Sequence, residues 1–199
     1  MERRTHYPNY NVLNEQEHWD DHTREIVQKR LEIPGSFQKL TGEQADAIRA
    51  MAALFVDDGR RELLDYVVKH FDSKLKSDIG EAQRKAGVPP FKDLVKKGLA
   101  ALDKLAQSEH GGAFAGLRPE QQTALLVGLE NDTLTLPEAD GMQVPSKPFF
   151  QKMLSESVSA YYSHPTVWSE IGYGGPAYPR GYIRSELGLT DPWEARKDA

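Results

Sequence analysis

Apolar residues recur at three- and four-residue intervals along most of this 199-residue chain, the spacing that gathers them on one face of an α-helix. Over residues 15–32, Trp19, Thr23, Ile26, Val27 and Arg30 share one side. Asn14 is placed to cap this helix, Glu15 and Glu17 fall in its first turn, Lys29 and Arg30 in its last, and Pro34-Gly35 stops it. Its stripe is thin, so the helix is either peripheral or completed by another surface. Thr41, with Gln44 three residues on, has capping-box spacing. It opens a second helix with Ala45, Ile48, Met51, Ala52 and Phe55 on its face, closed by Asp57-Asp58-Gly59. A third runs from about Arg60 to Ile79 on a stripe of Leu64, Val67, Val68, Phe71 and Leu75, and residues 80–87 read as a loop or frayed turn. Val88-Pro89-Pro90 leads into a fourth, with Phe91, Leu94, Val95, Leu99, Leu102 and Leu105 in register. Gly98 lies on the same face, where glycine costs about 1 kcal/mol against alanine, and is read as a close helix crossing. His110-Gly111-Gly112 breaks that run. Pro119 suits the first turn of a short fifth helix bearing Leu125, Leu126 and Leu129. After a loop over residues 131–147, Ser146 is placed to cap a sixth, with Phe150, Met153, Leu154, Val158 and Tyr161.

No segment alternates with the period of a half-buried strand, and there is no internal repeat. The predicted fold class is all-α: a single helical domain of about six helices over residues 15–163. Non-helical arms flank it, an extended N-terminal arm at 1–14 and a C-terminal arm at 164–199 packed on the domain.

The second arm departs most from the helical pattern. Between residues 172 and 179 it holds Gly172, Gly174, Gly175, Pro176 and Pro179, so its backbone must follow a specified path. It also carries Trp168, Tyr173, Tyr178 and Tyr182, and a disordered tail would be poor in aromatics. Pro165 starts a short helical turn over Val167–Ile171 that tucks Trp168 and Ile171 inward. Arg180 is placed to stack on an aromatic ring or to hold a carboxylate. The segment reads as an ordered loop fastened to something, and two readings stand. Either it covers the protein's own helices, or it docks a partner, since tyrosine, tryptophan and arginine anchor interfaces. The partner-binding candidates are Trp168, Gly172, Tyr173, Gly174, Gly175, Pro176, Tyr178, Arg180 and Tyr182. Both readings hold if the loop is ordered on its own body and shows one face outward.

Composition narrows the chemistry. A net charge of −5 argues against nonspecific nucleic-acid binding. The absence of cysteine excludes a disulfide framework, thiolate-held clusters and cysteine-ligated zinc. No apolar run reaches the ~18 residues of a membrane-spanning helix, so direct membrane insertion is not expected. The paired Arg3-Arg4 are followed by polar residues and Pro8 rather than an apolar run, and are not read as a secretory or twin-arginine signal.

Few residues offer catalysis. His18 and His22 are four apart on a predicted helix, with Glu15 and Glu25 near that face, which would make half a zinc or iron site. The plainer reading is a solvated helix face, because no longer helix carries a matching Glu-x-x-His. A metal-dependent helical enzyme built on His18 and His22 therefore stands as an alternative. A carbohydrate-binding module using Trp168 and the tyrosines is another. The Gly172-Tyr173-Gly174-Gly175 run lacks the spacing and preceding strand of a phosphate loop, and there is no nucleophile elbow. His164 is read as ending the sixth helix, where an imidazolium suits the carbonyl end. Asp20-Asp21 and Asp57-Asp58 are adjacent residues that point to different sides, and read as helix-end groups rather than acid/base pairs. Catalysis by this chain alone is not expected.

Several blocks resemble the gluconate 2-dehydrogenase subunit 3 family. They are Tyr161-Tyr162-Ser163-His164-Pro165, Trp168-Ser169-Glu170-Ile171-Gly172-Tyr173-Gly174-Gly175-Pro176, Arg180-Gly181-Tyr182 and Asp191-Pro192-Trp193-Glu194. Upstream, Leu40–Ala45, Gly98–Asp103 and Phe114–Gln122 also resemble it, so the likeness spans roughly residues 40–195. The resemblance implies a cofactor-free, non-catalytic small subunit. Its partner would be a large flavoprotein of the glucose–methanol–choline type, carrying FAD and acting on sugars or sugar acids such as gluconate, often with a c-type cytochrome. It also implies a role in folding, stability or export of the catalytic subunit. The implied setting is periplasmic or membrane-associated; without a recognised signal, the residues themselves leave a cytoplasmic setting open.

Overall fold

Helix-starting and helix-stopping residues divide the chain much as the apolar periods predict. The computed structural model describes residues 5–32, 35–77, 85–184 and 188–196. Its α-helices are α1 (Asp21–Arg30), α2 (Gly42–Val56), α3 (Arg61–Lys76), α4 (Phe91–His110), α5 (Pro119–Glu130), α6 (Ser146–Tyr161) and α7 (Pro165–Ile171). Short 3-10 helices occupy Val12–His18 and Phe114–Gly116. Among the described residues there is no strand, only an isolated antiparallel bridge between Ala139 and Met142. The fold is all-α, as predicted. The predicted C-terminal limit of the third helix, Ile79, and residues 80–84 of the following loop lie outside the described residues.

Contacts gather the chain into two units. One is Pro34–Ala160. The other joins both ends of the chain, Met1–Ile33 with Tyr161–Ala199.

In Pro34–Ala160, α2 begins at the predicted capping box: the Thr41 hydroxyl accepts from the Gln44 N–H at 3.2 Å, and the Gln44 side chain accepts from the Thr41 N–H at 3.1 Å. Asp57 ends it in the left-handed region. The α3 stripe is buried as expected and includes Leu63 as well. Phe71 of α3 stacks on Phe91 of α4, with ring centroids 6.3 Å apart. Gly98 marks a close crossing, since a Cβ there would lie 2.1 Å from Cδ2 of Phe149 on α6. Phe149 was absent from the expected α6 stripe, yet both Phe149 and Phe150 are buried, while Leu154 and Val158 are half-buried. The Ser146 hydroxyl, expected as a cap, accepts from the Leu136 N–H at 2.8 Å.

Two carboxylates tie this unit together. Asp72 on α3 accepts from the Gln38, Lys39 and Leu40 N–H groups, the closest at 2.7 Å, and so fixes the entry to α2. Glu156 on α6 accepts from Lys74 at 2.5 Å and pairs with His70 at 2.8 Å, both on α3. Burial alone would push the Glu156 carboxyl up, but these hydrogen bonds and the Lys74 charge hold it at about 2.

In the other unit, the single helix expected over residues 15–32 is two elements. Asn11 caps the 3-10 helix by accepting from the Leu13 N–H at 3.1 Å. Trp19 is then extended, and Asp20 starts α1 afresh by accepting from the Thr23 N–H at 2.8 Å. Two competing side-chain caps break what the apolar spacing alone reads as continuous. The thin α1 stripe is indeed completed elsewhere: Trp19 and Val27 bury with Val12 and Trp168, and Tyr10, Leu13 and Tyr173 pack around them.

Candidate functional site

The Gly/Pro/aromatic arm is built outward from α7. His164 does not end α6 as a cation. It caps the N-terminus of α7, its Nδ1 accepting from the Thr166 N–H at 3.2 Å. An accepting Nδ1 needs its lone pair, so the cap uses the neutral ring carrying its proton on Nε2. Helix α7 includes the predicted turn but starts at Pro165. Trp168 turns inward at 5% exposure, donates through Nε1 to the Tyr162 carbonyl at 2.7 Å, and meets Tyr173 edge-on at 5.6 Å. The Arg30 guanidinium lies 5.2 Å over its ring. Ile171, expected inward, is 49% exposed, because it stands at the open C-terminal end where Gly172 turns the chain in the left-handed region.

Three loop glycines are seats for specific neighbours. A Cβ on Gly172 would lie 2.6 Å from Tyr7 Cε2, and one on Gly174 would lie 2.4 Å from Trp193 Cδ1. One on Gly175, which sits at φ +80°, would lie 2.7 Å from Trp19 Cζ2. Only glycine permits both this close approach and, at Gly172 and Gly175, the positive φ. Polar contacts run beside the packing. Thr5 donates to the Glu170 carbonyl at 2.8 Å, the Val12 N–H to the Ser169 hydroxyl at 3.1 Å, and the Tyr10 hydroxyl to the Trp193 carbonyl at 2.7 Å. Burial, then the Glu15 charge, push the Tyr10 hydroxyl above the usual tyrosine range.

The far end of the arm is pinned by Arg180 and Asp191. The Arg180 guanidinium lies 4.3 Å over the Trp193 ring and donates through Nη2 to the Gly174 carbonyl. Burial pulls its pKa down, and among the described residues its enclosed Nε and Nη1 have no hydrogen-bond partner. Asp191 is fully buried, and its Oδ1 accepts from both the Ile183 and Arg184 N–H groups at 2.8 Å.

The candidates therefore separate by direction. Trp168, Gly172, Gly174 and Gly175 are buried in their own unit, and Tyr173, Pro176 and Arg180 are half-buried. Tyr178 and Tyr182 point outward at 68% and 61% exposure, joined by Ile183 at 61%. The Tyr178–Pro179 bond is cis. Sequence reasoning missed Ile183 as an exposed apolar residue, and missed Trp193 and Asp191 as fasteners. Asp191 and Trp193 did stand in the Asp191-Pro192-Trp193-Glu194 block of the resemblance, and Ile183 stood as an apolar residue in a polar stretch.

The other candidates are not assembled into sites. His18 ends the 3-10 helix and His22 lies in the first turn of α1, so the shared helical face expected for them does not form. His18 Nε2 instead lies 3.7 Å from both the Glu15 and Glu17 carboxylates. Among the described residues no group of three or more histidine, aspartate or glutamate side chains could hold a metal ion. The Trp168 ring, being enclosed, offers no face to a sugar. In Pro34–Ala160 an open cleft of about 660 Å³ is lined by residues that include Glu43, Asp46, Asp103 and Lys104. Burial pushes the Asp103 carboxyl up, and it accepts from the Phe114 N–H at 2.9 Å. Asp46 is engaged by Arg49 and Lys104 by the Glu138 carbonyl.

A family model for gluconate 2-dehydrogenase subunit 3 matches residues 41–175, which takes in α2 to α7 and the loop as far as Gly175. Comparisons with curated proteins and with solved structures returned no match.

Proposed function

The chain belongs to the gluconate 2-dehydrogenase subunit 3 family, and from that premise we propose that it is an accessory subunit of a gluconate dehydrogenase complex. It docks on the catalytic subunit through the outer face of its C-terminal arm. The observation that carries the docking site is the division within the arm. Tyr178, Tyr182 and Ile183 present exposed side chains on a turn that is fixed from inside, where Arg180 packs on Trp193 and the Ile183 and Arg184 N–H groups donate to Asp191. Large apolar groups held outward on a fixed backbone lose little conformational freedom on binding, which is what an interface anchor requires.

In this reading the partner is a flavoprotein of the glucose–methanol–choline type. It carries FAD and oxidises a sugar or sugar acid, with a c-type cytochrome as a further member of the complex. This chain supplies binding surface that supports the folding, stability or export of that partner. Co-expression with the large subunit tests it. The two should co-elute, and Tyr178→Ala or Tyr182→Ala should weaken the complex by about 2 kcal/mol, or roughly thirtyfold, as for an interface anchor. The melting temperature of the isolated chain should not move in Tyr178→Ala, which makes Tyr178 the cleaner variant, since the Tyr182 side chain also hydrogen-bonds Tyr173 and lies 5.7 Å from the Arg184 guanidinium. Separate elution of the wild-type chains, with the large subunit equally soluble and active alone, removes the proposal.

A further inference from the structure

We propose that residues 5–19 are a latch: seated against the C-terminal arm, they hold it in the form that presents Tyr178, Tyr182 and Ile183. The proposal rests on the docking reading above and adds how that face is controlled.

The segment has little structure of its own beyond the 3-10 helix Val12–His18. Arg24 of α1 holds its end by donating to the Gln16 and Trp19 carbonyls, and the arm holds the rest through contacts that come in sequence. Thr5 donates to the Glu170 carbonyl, Tyr7 covers Gly172, Tyr10 donates to the Trp193 carbonyl, and the Val12 N–H donates to Ser169. Val12 and Trp19 then close over Gly175. These contacts grip the arm at two places, Glu170–Gly175 and Trp193. The outward residues lie between them along the chain. Trp193 also carries the Arg180 guanidinium, so the Tyr10 bond bears on the same residue that fixes the exposed turn.

The latch and the outward-facing residues lie outside the matched family region, while the Glu170–Gly175 grip lies within it. Residues 5–19 precede residue 41, and the exposed turn and Trp193 follow residue 175. Unseating the latch uncovers Gly172 and Gly175, the positions whose positive φ sets the direction of the arm. The arm then keeps its own fixings, at Arg180 and Asp191, through the Ala195 N–H on the Gly172 carbonyl, and through Tyr173 on Trp168. A loosened anchor must be ordered again when it binds, which lowers affinity.

The test uses the full-length chain in three forms: wild type, Tyr10→Phe and Gly175→Ala. Tyr10→Phe removes a hydroxyl and nothing else. Gly175→Ala drives a methyl group against Trp19. Amide hydrogen exchange is read over residues 172–184 and 188–195, and affinity for the co-expressed large subunit is measured in parallel. Exchange across the arm should quicken about tenfold in Tyr10→Phe, the size expected for losing a hydroxyl that bonds the Trp193 carbonyl and reaches the Tyr173 carbonyl at 3.4 Å, while α3 and α4 exchange as in wild type. Affinity should fall by a similar factor. Should Gly175→Ala fail to fold, Tyr10→Phe decides alone. Unchanged arm exchange overturns the latch, and so does an arm that loosens while affinity holds. Wild-type-like binding by both Tyr178→Ala and Tyr182→Ala defeats the docking reading instead, and the exchange data still judge whether residues 5–19 hold the arm.

Discussion

Glu156 shows how one residue sets a pH response. Its carboxylate is nearly enclosed and joins α6 to α3 through Lys74 and His70. Folding lowers its pKa from an ordinary 4.5 to about 2. A depressed carboxyl contributes its full stabilisation above its unfolded value and loses it as pH falls through the folded one. The contribution of Glu156, roughly 3 kcal/mol from the size of the shift, is therefore complete above about pH 4.5 and gone near pH 2. Glu156→Gln should lower stability at neutral pH and flatten the acid limb of the stability curve between those values. Denaturant titrations of both proteins at several pH values check it. Equal slopes in that window would mean that other carboxylates govern acid unfolding. None of this was legible in the sequence, because His70, Lys74 and Glu156 are brought together only by the packing of α3 on α6.

At the scale of elements, the crossing of α4 and α6 was half legible. Gly98 sat on an apolar stripe where alanine would favour the helix, which pointed to a close neighbour. The neighbour itself, Phe149, was not identifiable, since one of two adjacent phenylalanines must be chosen and the α6 period favoured Phe150. Gly98→Ala should gain up to ~1 kcal/mol of helix propensity and lose more, because the new methyl meets the Phe149 ring at 2.1 Å. A net destabilisation of about 1–2 kcal/mol is expected from overpacking. The double variant with Phe149→Leu should recover part of it. A denaturant cycle over the two single variants and the double reads the coupling, and purely additive effects would show that the two residues do not share the crossing. The 3-10 break at Trp19-Asp20 is the opposite case. Asn11 and Asp20 are both ordinary cap residues, but a continuous apolar period concealed them.

At the scale of the whole molecule, legibility follows sequence separation. Within Pro34–Ala160, capping residues and apolar periods act locally, and the predicted helices are found close to their expected limits. The other unit pairs residues 5–32 with residues 161–196, and no local pattern announces that pairing. The glycines signalled a constrained path, and the aromatics signalled fastening. Neither could show that the fastener was the other end of the chain. Trp168 makes this testable, because it is both the most distinctive residue of the arm and the centre of the cluster with Val12, Trp19 and Val27. Trp168→Ala should cost about 3–5 kcal/mol, as for a large side chain removed from a core, and should also strip a donor from the Tyr162 carbonyl. Hydrogen exchange should quicken first in α1, α7 and the arm, the elements that share this cluster. Trp168→Phe, which keeps most of the ring volume and loses the N–H, should fall between the two. If stability holds within about 0.5 kcal/mol, as for a surface substitution, while affinity for the large subunit falls, then Trp168 belongs to the partner's side of the interface and not to the core that supports it.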